Sequence, residues 1–383
     1  MKIVIKSTQL LKEFLKSEQA GGFILIACTI VSLIISNSSL GTAYIGIWET
    51  KMFGHSIGHW INDALMAVFF LLIGLELERE IYAGELSDFK KAILPISAAL
   101  GGMIVPAAFF FSFNAGLSTQ SGLGIPMATD IAFALGVLSL LGKRIPLSLK
   151  VFLTALAVID DLGAIIIIAV FYTKTLSMMY LALSLGIFAV LLVLNKLKVN
   201  SLIPYILGGI IMWYFLLNSG VHATITGVLL AFAIPFRKGN DSSPSYVLQH
   251  FLHAPVAYFI LPVFALANTA IIISGGFSAI ISEPLSLGII AGLTLGKPIG
   301  VFLFSYVLIK LKFSSLPDDV NFKQILGAGM MAGIGFTMSI FITLLAFENP
   351  DYIDLSKISV MMASLLSGVL GYIVLKTVSV GKV

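Results

Sequence analysis

Long apolar runs separated by short polar connections make up almost the whole chain. We read twelve such runs, and each predicts one membrane-spanning helix, since a bilayer core about 30 Å thick takes about 20 apolar residues. The runs cover about residues 21–38, 60–79, 93–114, 118–141, 151–173, 178–195, 202–217, 219–235, 250–273, 287–309, 324–347 and 357–380. The pattern predicts an all-α polytopic membrane protein with a single transmembrane domain over residues 1–383 and no separate soluble domain.

The segment before the first run is basic and amphipathic. Leu10, Leu11, Phe14 and Leu15 recur at helical spacing, which is typical of a short helix lying on a membrane surface. A frayed basic tail is the alternative. The first run lacks a small-residue cleavage site, so we interpret it as a retained span and not as a removed signal peptide.

Composition and charge agree with a membrane protein. Only 11% of the residues are charged, against about 25% in soluble proteins. Of the 23 Lys and Arg, Lys51, Lys174 and Lys357 fall on one side of the predicted membrane and Lys297 within a span, and all the others fall on the opposite side. The positive-inside rule places that richer side, with both termini, in the cytoplasm. This bias explains the net charge of +4 without nucleic acid, and the single Cys28 allows no intrachain disulfide.

Two adjacent acids, Asp160 and Asp161, lie near the middle of the run 151–173, which is otherwise uncharged. As a helix this run is roughly 34 Å long, so both acids lie close to half depth, where a carboxylate costs at least about 2.5 kcal/mol. Lys297 lies at a similar depth in a later run. The ionisable residues at membrane depth are Asp63, Asp130, Asp160, Asp161, His222 and Lys297, with Glu76 nearer a cytoplasmic end.

A buried ammonium and a surplus of buried acids predict a functional site. Neighbouring residues on a helix point roughly 100° apart, so one of Asp160 and Asp161 can pair with Lys297 while the other faces a cavity. The alternative is a salt bridge that only fixes helix packing. For Asp63, near the external end of its span, we favour that structural interpretation.

Two of the predicted spans contain helix-breaking residues. In the fourth, Gly122, Gly124 and Pro126 precede Asp130, and in the eleventh several glycines end at Gly335. Small residues can also serve close helix packing. Paired interruptions in two halves of a chain nevertheless indicate a transporter site at the membrane midplane.

The two interruptions also predict a repeat. Asp130 and Asp160 are separated by 30 positions, as are Gly335 and Leu365, which places spans 3–5 and 10–12 in register. Repeats of three spans must be inverted relative to each other. Where half-helices meet, Asp130 could neutralise the partial positive charge of helix N-termini, and Lys297 the partial negative charge of C-termini.

Six motifs resemble the NhaA family of bacterial sodium/proton antiporters, over about residues 21–375. They are WINDALMAVFF (60–70), ATDIAFALG (128–136), IDDLGAI (159–165), SGVHAT (219–224), GKP (296–298) and GIGFTMS (333–339). The resemblance implies that Asp161 and Asp160 bind the transported Na⁺ or Li⁺ and the proton, that Lys297 pairs with Asp160, and that Thr129 and Asp130 contribute from the broken fourth span. No cofactor is implied.

The resemblance also implies a group of residues that responds to pH. Its members are Glu76, Arg79, Glu80, Gln249, His250 and His253 at a cytoplasmic position, with His222 as a further residue that influences the response. Asp63 and Gly335 are expected to be structural. Gln249 departs from the family, which has a glutamate there in its best-known members, so the pH profile is expected to differ. The segment 48–59 is shorter than the external β-hairpin that joins dimers in some members, which puts that mode of dimerisation in doubt.

Together these features predict an electrogenic antiporter and not an enzyme. We expect it to extrude sodium for two protons per ion, under pH regulation, in the bacterial inner membrane, with the lipid bilayer and a possible homodimer as partners. A sodium-coupled symporter of the same fold is one alternative. An intramembrane aspartyl protease is a remote one, because its motif needs a Gly-Asp pair that this chain lacks.

Overall fold

The computed structural model describes residues 20–172, 176–237, 242–273, 280 and 282–378, and these are mainly helical. The surface helix predicted around Leu10 to Leu15 lies outside the described residues. The helices are α1 (Ala20–Ser36), α2 (Gly41–Glu49), α3 (Ile57–Ala83), α4 (Phe89–Asn114), α5 (Ile131–Ser139), α6 (Leu147–Phe171), α7 (Met178–Lys196), α8 (Ile203–Leu217), α9 (Ile225–Ala233), α10 (Pro244–Asn268), α11 (Pro284–Lys310), α12 (Phe322–Ala332), α13 (Phe336–Ala346) and α14 (Pro350–Val378). Three 3₁₀ segments lie between them, at Glu85–Ser87, Ser118–Met127 and Gly142–Arg144. The second of these is called the long 3₁₀ segment below.

Seven of these helices are long and apolar enough to cross a membrane. Three further pairs qualify together but are sharply bent: α1 with α2 by 116°, the long 3₁₀ segment with α5 by 45°, and α12 with α13 by 47°. Counting each bent pair as one span gives up to ten spans. The prediction of an all-helical, multi-pass membrane protein is therefore confirmed, and the helices bend at both of the predicted interruptions, before Asp130 and at Gly335.

The count of twelve spans is not reached by this criterion. The runs predicted at 202–217 and 219–235 contain only α8, with 15 residues, and α9, with 9 residues. A helix of 15 residues is roughly 22 Å long and one of 9 residues roughly 14 Å, both shorter than a bilayer core. The bend between α1 and α2 was not predicted from the sequence.

A small β-hairpin connects α2 to α3. Strands β1 (Lys51–Met52) and β2 (His55–Ser56) pair antiparallel, with Lys51 opposite Ser56. The turn residues Phe53 and Gly54 both have positive φ, at 52° and 88°, as a two-residue hairpin turn requires. The short segment 48–59 therefore still forms a hairpin, with only two residues in each strand.

Close contact between α4 and α11 fixes the position of Lys297. The two helices approach so closely that a Cβ on Gly300 would lie 2.0 Å from the backbone oxygen of Gly101, and a Cβ on Gly296 would lie 2.7 Å from the Cα of Pro106. A π-helical turn, Gly292–Gly296, directly precedes Lys297. Such turns widen a helix locally and are frequent at functional sites.

The apolar core surrounds α6 and the two broken pairs. Phe70 on α3 and Phe341 on α13 pack with ring centroids 5.2 Å apart, and both are almost fully buried. By contrast, α7 exposes many large apolar side chains, Val190 and Val193 among them. The acids on α6 therefore lie in the interior of the protein, while α7 presents an apolar surface that suits lipid.

Candidate functional site

Two broken pairs, the long 3₁₀ segment with α5 and α12 with α13, cross in the interior. At the crossing the backbone of each pair leaves helical geometry. The backbone N–H of Asp130 donates to the carbonyl oxygen of Ile334 at 2.7 Å. The hydroxyl of Ser339 donates to the carbonyl oxygen of Ile125 at 2.7 Å. Because a broken helix leaves backbone groups without helical partners, these bonds between the breaks replace the ones that each helix lacks.

The Asp130 carboxylate lies at the N-termini of both α5 and α13. Its Oδ1 accepts a hydrogen bond from the backbone N–H of Phe133 at 3.0 Å. Its Oδ2 accepts from the backbone N–H of Thr337 at 2.9 Å and from the Thr337 hydroxyl at 2.5 Å. One negative charge thus compensates the partial positive ends of two helices. Both oxygens of Asp130 are engaged in this conformation.

Lys297 is completely buried and pairs with Asp160. Its Nζ lies 2.7 Å from Asp160 Oδ2, and it also donates to the carbonyl oxygen of Met127, the last residue of the long 3₁₀ segment. The ammonium therefore lies where a C-terminal partial negative charge meets a carboxylate. An unpaired buried charge would be strongly destabilising, so the pair and the carbonyl hold each other in place.

Thr129 connects the crossing to the paired acid. Its hydroxyl oxygen lies 2.8 Å from Asp160 Oδ2 and 2.8 Å from the carbonyl oxygen of Ala332. A hydroxyl has one proton but two lone pairs, so it can donate to only one of these oxygens at a time. The Thr129 oxygen can therefore also face a cation.

Asp161 differs from its neighbour in having no pairing base among the described residues. It is buried, and its Oδ1 has no hydrogen-bond partner among the described residues, which is also true of Asp160 Oδ1. Asp161 faces a narrow cleft whose other polar walls are Thr129, Asp130, Thr337 and Glu76. In the described chain, no three His, Cys, Asp or Glu side chains are grouped as metal ligands, so a cation here would need neutral oxygens beside the carboxylates.

A second group of polar residues lies where α3 packs against α10. His253 Nε2 is 3.5 Å from Glu76 Oε1, and Arg79 Nη2 is 3.2 Å from Glu80 Oε1. Gln249 is buried, and its Nε2 has no hydrogen-bond partner in the part of the chain that the structure describes. These residues are called the α3–α10 cluster below. His250 lies on the same helix but is exposed.

Two residues predicted from the sequence lie away from both groups. His222 Nε2 is 3.0 Å from the carbonyl oxygen of Tyr172, so the structure does not place it in the α3–α10 cluster. Asp63 pairs with His59 at 3.1 Å near the hairpin. Gly335 lies at the crossing itself, where a Cβ would be 2.2 Å from the Ser339 hydroxyl.

The sequence analysis overlooked Thr337 and Glu78. Thr337 bonds twice to Asp130, and its place directly after the second break was the available signal. Glu78 is buried, and its Oε2 accepts a hydrogen bond from Ser245 at 2.7 Å. This bond joins α3 to α10, and the signal was a third acid beside Glu76 and Glu80.

The chain is similar over nearly its whole length to known sodium/proton antiporters. The family model described as "Na+/H+ antiporter 1" matches residues 12–375. A protein named Na(+)/H(+) antiporter NhaA from Flavobacterium psychrophilum is 60% identical over 374 residues, which cover 98% of this chain and 97% of that protein. A protein of the same name from Vibrio campbellii is 48% identical over 369 residues, which cover 95% of this chain and 94% of that protein. The chain therefore belongs to the Na⁺/H⁺ antiporter 1 family, together with the NhaA antiporters.

Proposed function

We propose that this sodium/proton antiporter moves its ions through Asp161 and Asp160, where Na⁺ or Li⁺ competes with protons. The difference between the two acids carries the proposal. Asp160 is bonded to Lys297 and Thr129, whereas Asp161 is buried beside them without a pairing base among the described residues. A buried acid without a base is costly unless it binds a cation or a proton.

The chemistry is competition for carboxylate oxygens. Na⁺ and Li⁺ are hard cations that take oxygen ligands, as other hard cations do. Asp161 offers such ligands only when it is ionised, and the Thr129 hydroxyl and backbone oxygens at the crossing complete the shell. Protonation of the carboxylates removes the charge that holds the cation, so each ion displaces the other. The family is one of transporters and not of enzymes, and this cycle uses no cofactor.

The exchange is proposed to be electrogenic. If both Asp160 and Asp161 take up protons when one cation leaves, two protons enter for each Na⁺ that is extruded. One net charge then crosses the membrane, and this is worth about 2.3 kcal/mol per 100 mV of potential. Protonated Asp160 would release Lys297, which links proton uptake to the crossing. Such a cycle serves pH and sodium homeostasis.

The proposed topology has twelve spans with inverted repeats over spans 3–5 and 10–12. Support comes from the two breaks, which bend by similar angles of 45° and 47° and each begin a new helix at the crossing. Helices α8 and α9 would be short spans. Both termini would lie in the cytoplasm and the protein in the bacterial inner membrane, as the Lys and Arg distribution favours. A homodimer stays a prediction.

The symporter alternative receives less support from the site. The cleft at Asp161 is narrow, and its remaining walls are apolar, with Phe69, Leu72 and Met338 among them. An organic substrate would need a polar cavity beside the ion site.

The α3–α10 cluster is proposed to set the pH dependence. It lies on the same cleft as Asp161 through Glu76, and it brings the basic side chains of His253 and Arg79 next to the acids Glu76 and Glu80. Gln249 is neutral, so this chain has one acid fewer at that helix face than the family pattern. His222 would act separately, through its contact with Tyr172.

The test of the function is Asp161→Asn in everted membrane vesicles. We expect the variant to abolish sodium- and lithium-dependent proton movement across pH 6–9, measured by acridine-orange dequenching. The amide is nearly isosteric and removes a buried charge, so the protein should remain folded in the membrane. Asp318→Asn makes the same change at an exposed position and should exchange like the unmodified protein. Exchange that persists in Asp161→Asn would refute the site, and absence of exchange in the unmodified protein would refute the function.

A further inference from the structure

Tyr172 follows α6 directly and binds the backbone of the long 3₁₀ segment. Its hydroxyl donates to the carbonyl oxygen of Ser121 at 2.9 Å and accepts from the backbone N–H of Gly124 at 3.3 Å. The side chain is buried, with 8% of its surface exposed. A buried hydroxyl that both donates and accepts is fully used by these two bonds, so it fixes the separation between α6 and the 3₁₀ segment.

That segment needs an external support. A 3₁₀ helix has poorer hydrogen-bond geometry than an α-helix, and runs longer than three or four residues are uncommon. This one has 10 residues, Ser118–Met127. It ends at Met127, whose carbonyl oxygen receives Lys297, and Thr129 follows two residues later. Any movement of the segment therefore moves oxygen atoms of the ion site.

Hydrogen bonds join α6 to the long 3₁₀ segment and the residues directly after it at two places. One is the Thr129 hydroxyl on Asp160, at the acids themselves. The other is Tyr172, 11 positions after Asp161, or roughly 16 Å further along the axis. Two attachments define both the distance and the angle between a helix and a neighbouring segment, whereas a single attachment leaves the angle free. The Tyr172 hydroxyl is thus remote from the ion yet controls the geometry of its ligands.

The surroundings of this second attachment are tightly packed. A Cβ on Gly124 would lie 2.8 Å from the Tyr172 hydroxyl oxygen and 3.3 Å from methyl carbons of Ile167 and Ile342. On the other side, His222 Nε2 lies 3.0 Å from the Tyr172 carbonyl oxygen. A carbonyl only accepts, so this bond needs a proton on Nε2. The tyrosine is therefore held at both its backbone and its hydroxyl.

We infer that Tyr172 is a positioning residue that sets the spacing between the α6 acids and the oxygens of residues 127–129, and thereby the preference between Li⁺ and Na⁺. The inference rests on the proposed function of Asp161 and Asp160. Li⁺ is the smaller ion and needs shorter distances to oxygen. A site that is loosened by a few tenths of an ångström therefore loses more affinity for Li⁺ than for Na⁺, since cavity size and rigidity decide such selectivity.

The first experiment compares Tyr172→Phe with the unmodified protein in everted vesicles. Phenylalanine keeps the ring and removes both hydrogen bonds. We expect the apparent KM for Li⁺ to rise at least threefold and that for Na⁺ to rise less, with maximal rates per amount of membrane protein within about twofold. The ratio of the two KM values does not depend on how much protein is present, so a merely structural defect would leave it unchanged.

Tyr205→Phe is the matched control. Tyr205 is also buried, and its hydroxyl also donates to a backbone carbonyl oxygen, that of Val199, at 3.0 Å. It lies on α8, which packs mainly against α7 and α9. We expect this variant to leave both KM values and their ratio as they are. An equal shift in both tyrosine variants would contradict the inference.

A second variant approaches the same contact from the other side. Gly124→Ala adds a Cβ against the Tyr172 hydroxyl and should shift the KM ratio in the same direction. In Tyr172→Phe/Gly124→Ala the obstructing oxygen is gone, so the ratio should change no further than in Tyr172→Phe alone, which is non-additivity between contacting residues. Additive shifts, or an unchanged ratio in both single variants while exchange continues, would overturn the inference and leave the antiport function standing.

Discussion

The helix crossing and the α3–α10 cluster both bury ionisable side chains, but these side chains are closely hydrogen-bonded at the crossing and only loosely in the cluster. At the crossing, Asp130 accepts three hydrogen bonds and Lys297 pairs with Asp160 at 2.7 Å. In the cluster, the contact between His253 and Glu76 is 3.5 Å long, and the side-chain amide N–H group of Gln249 has no bond among the described residues.

The difference separates two uses of buried charge. At the crossing, charges replace the hydrogen bonds of interrupted helices, so the fold depends on them. In the cluster, α3 and α10 are continuous helices with only π-helical turns, and their backbone bonds do not depend on the side chains. Substitutions of the bonded charges at the crossing should therefore disturb both structure and transport, whereas substitutions in the cluster should mainly change the pH dependence.

The largest effect is expected from Lys297→Met. Removing one partner of a buried pair leaves Asp160 as an uncompensated charge, which costs about 3–5 kcal/mol. We expect a clearly lower melting temperature in detergent and loss of exchange. Asp160→Asn/Lys297→Met removes both charges and should regain most of the melting temperature without regaining full exchange. A double variant as unstable as Lys297→Met would show that the charge of Asp160 is not the cause.

A smaller effect is expected from Asp130→Ala, with Asp130→Asn as its control. Alanine removes the caps of both α5 and α13, each worth about 1 kcal/mol, and should lower both the melting temperature and the exchange rate. Asparagine caps a helix nearly as well as aspartate, but it carries no charge and its single acceptor oxygen can cap only one of the two helices. Its melting temperature should therefore stay closer to that of the unmodified protein. Equal melting temperatures for the two variants would mean that the caps are not what Asp130 provides.

The smallest effect is expected from Gln249→Glu in the α3–α10 cluster. An added acid should shift the pH dependence of exchange, measured in vesicles across pH 6–9, with a similar maximal rate. Gln120→Glu, at an exposed position, is the matched control and should leave the profile as it is. If Gln249→Glu also leaves it unchanged, position 249 does not belong to the pH response.

The sequence predicted the parts of the crossing that depend on unusual residues in apolar runs. Asp160, Asp161 and Lys297 could be found because charges are rare at membrane depth, and both breaks because glycine and proline interrupt helices. Thr337 and Tyr172 could not be found in this way, because neutral polar residues are common in spans and their partners are backbone groups remote in sequence. The run predicted at 219–235 is longer than α9, which covers only Ile225–Ala233, since an apolar run shows where a segment is buried and not where its helix ends.

What the sequence by itself determined is the class of the protein, an all-helical membrane protein with several spans, and the charged residues that lie within its apolar runs. Hydrophobic length and the cost of buried charge are local properties, so a single chain reveals them. Only the tertiary structure decided how the charges divide: Asp130 serves two helix ends, Asp160 is bonded to Lys297, and Asp161 is left facing the cleft. Those assignments depend on distances between segments that are far apart in sequence, such as Asp130 and Thr337, which are 207 positions apart, and no local pattern encodes such distances.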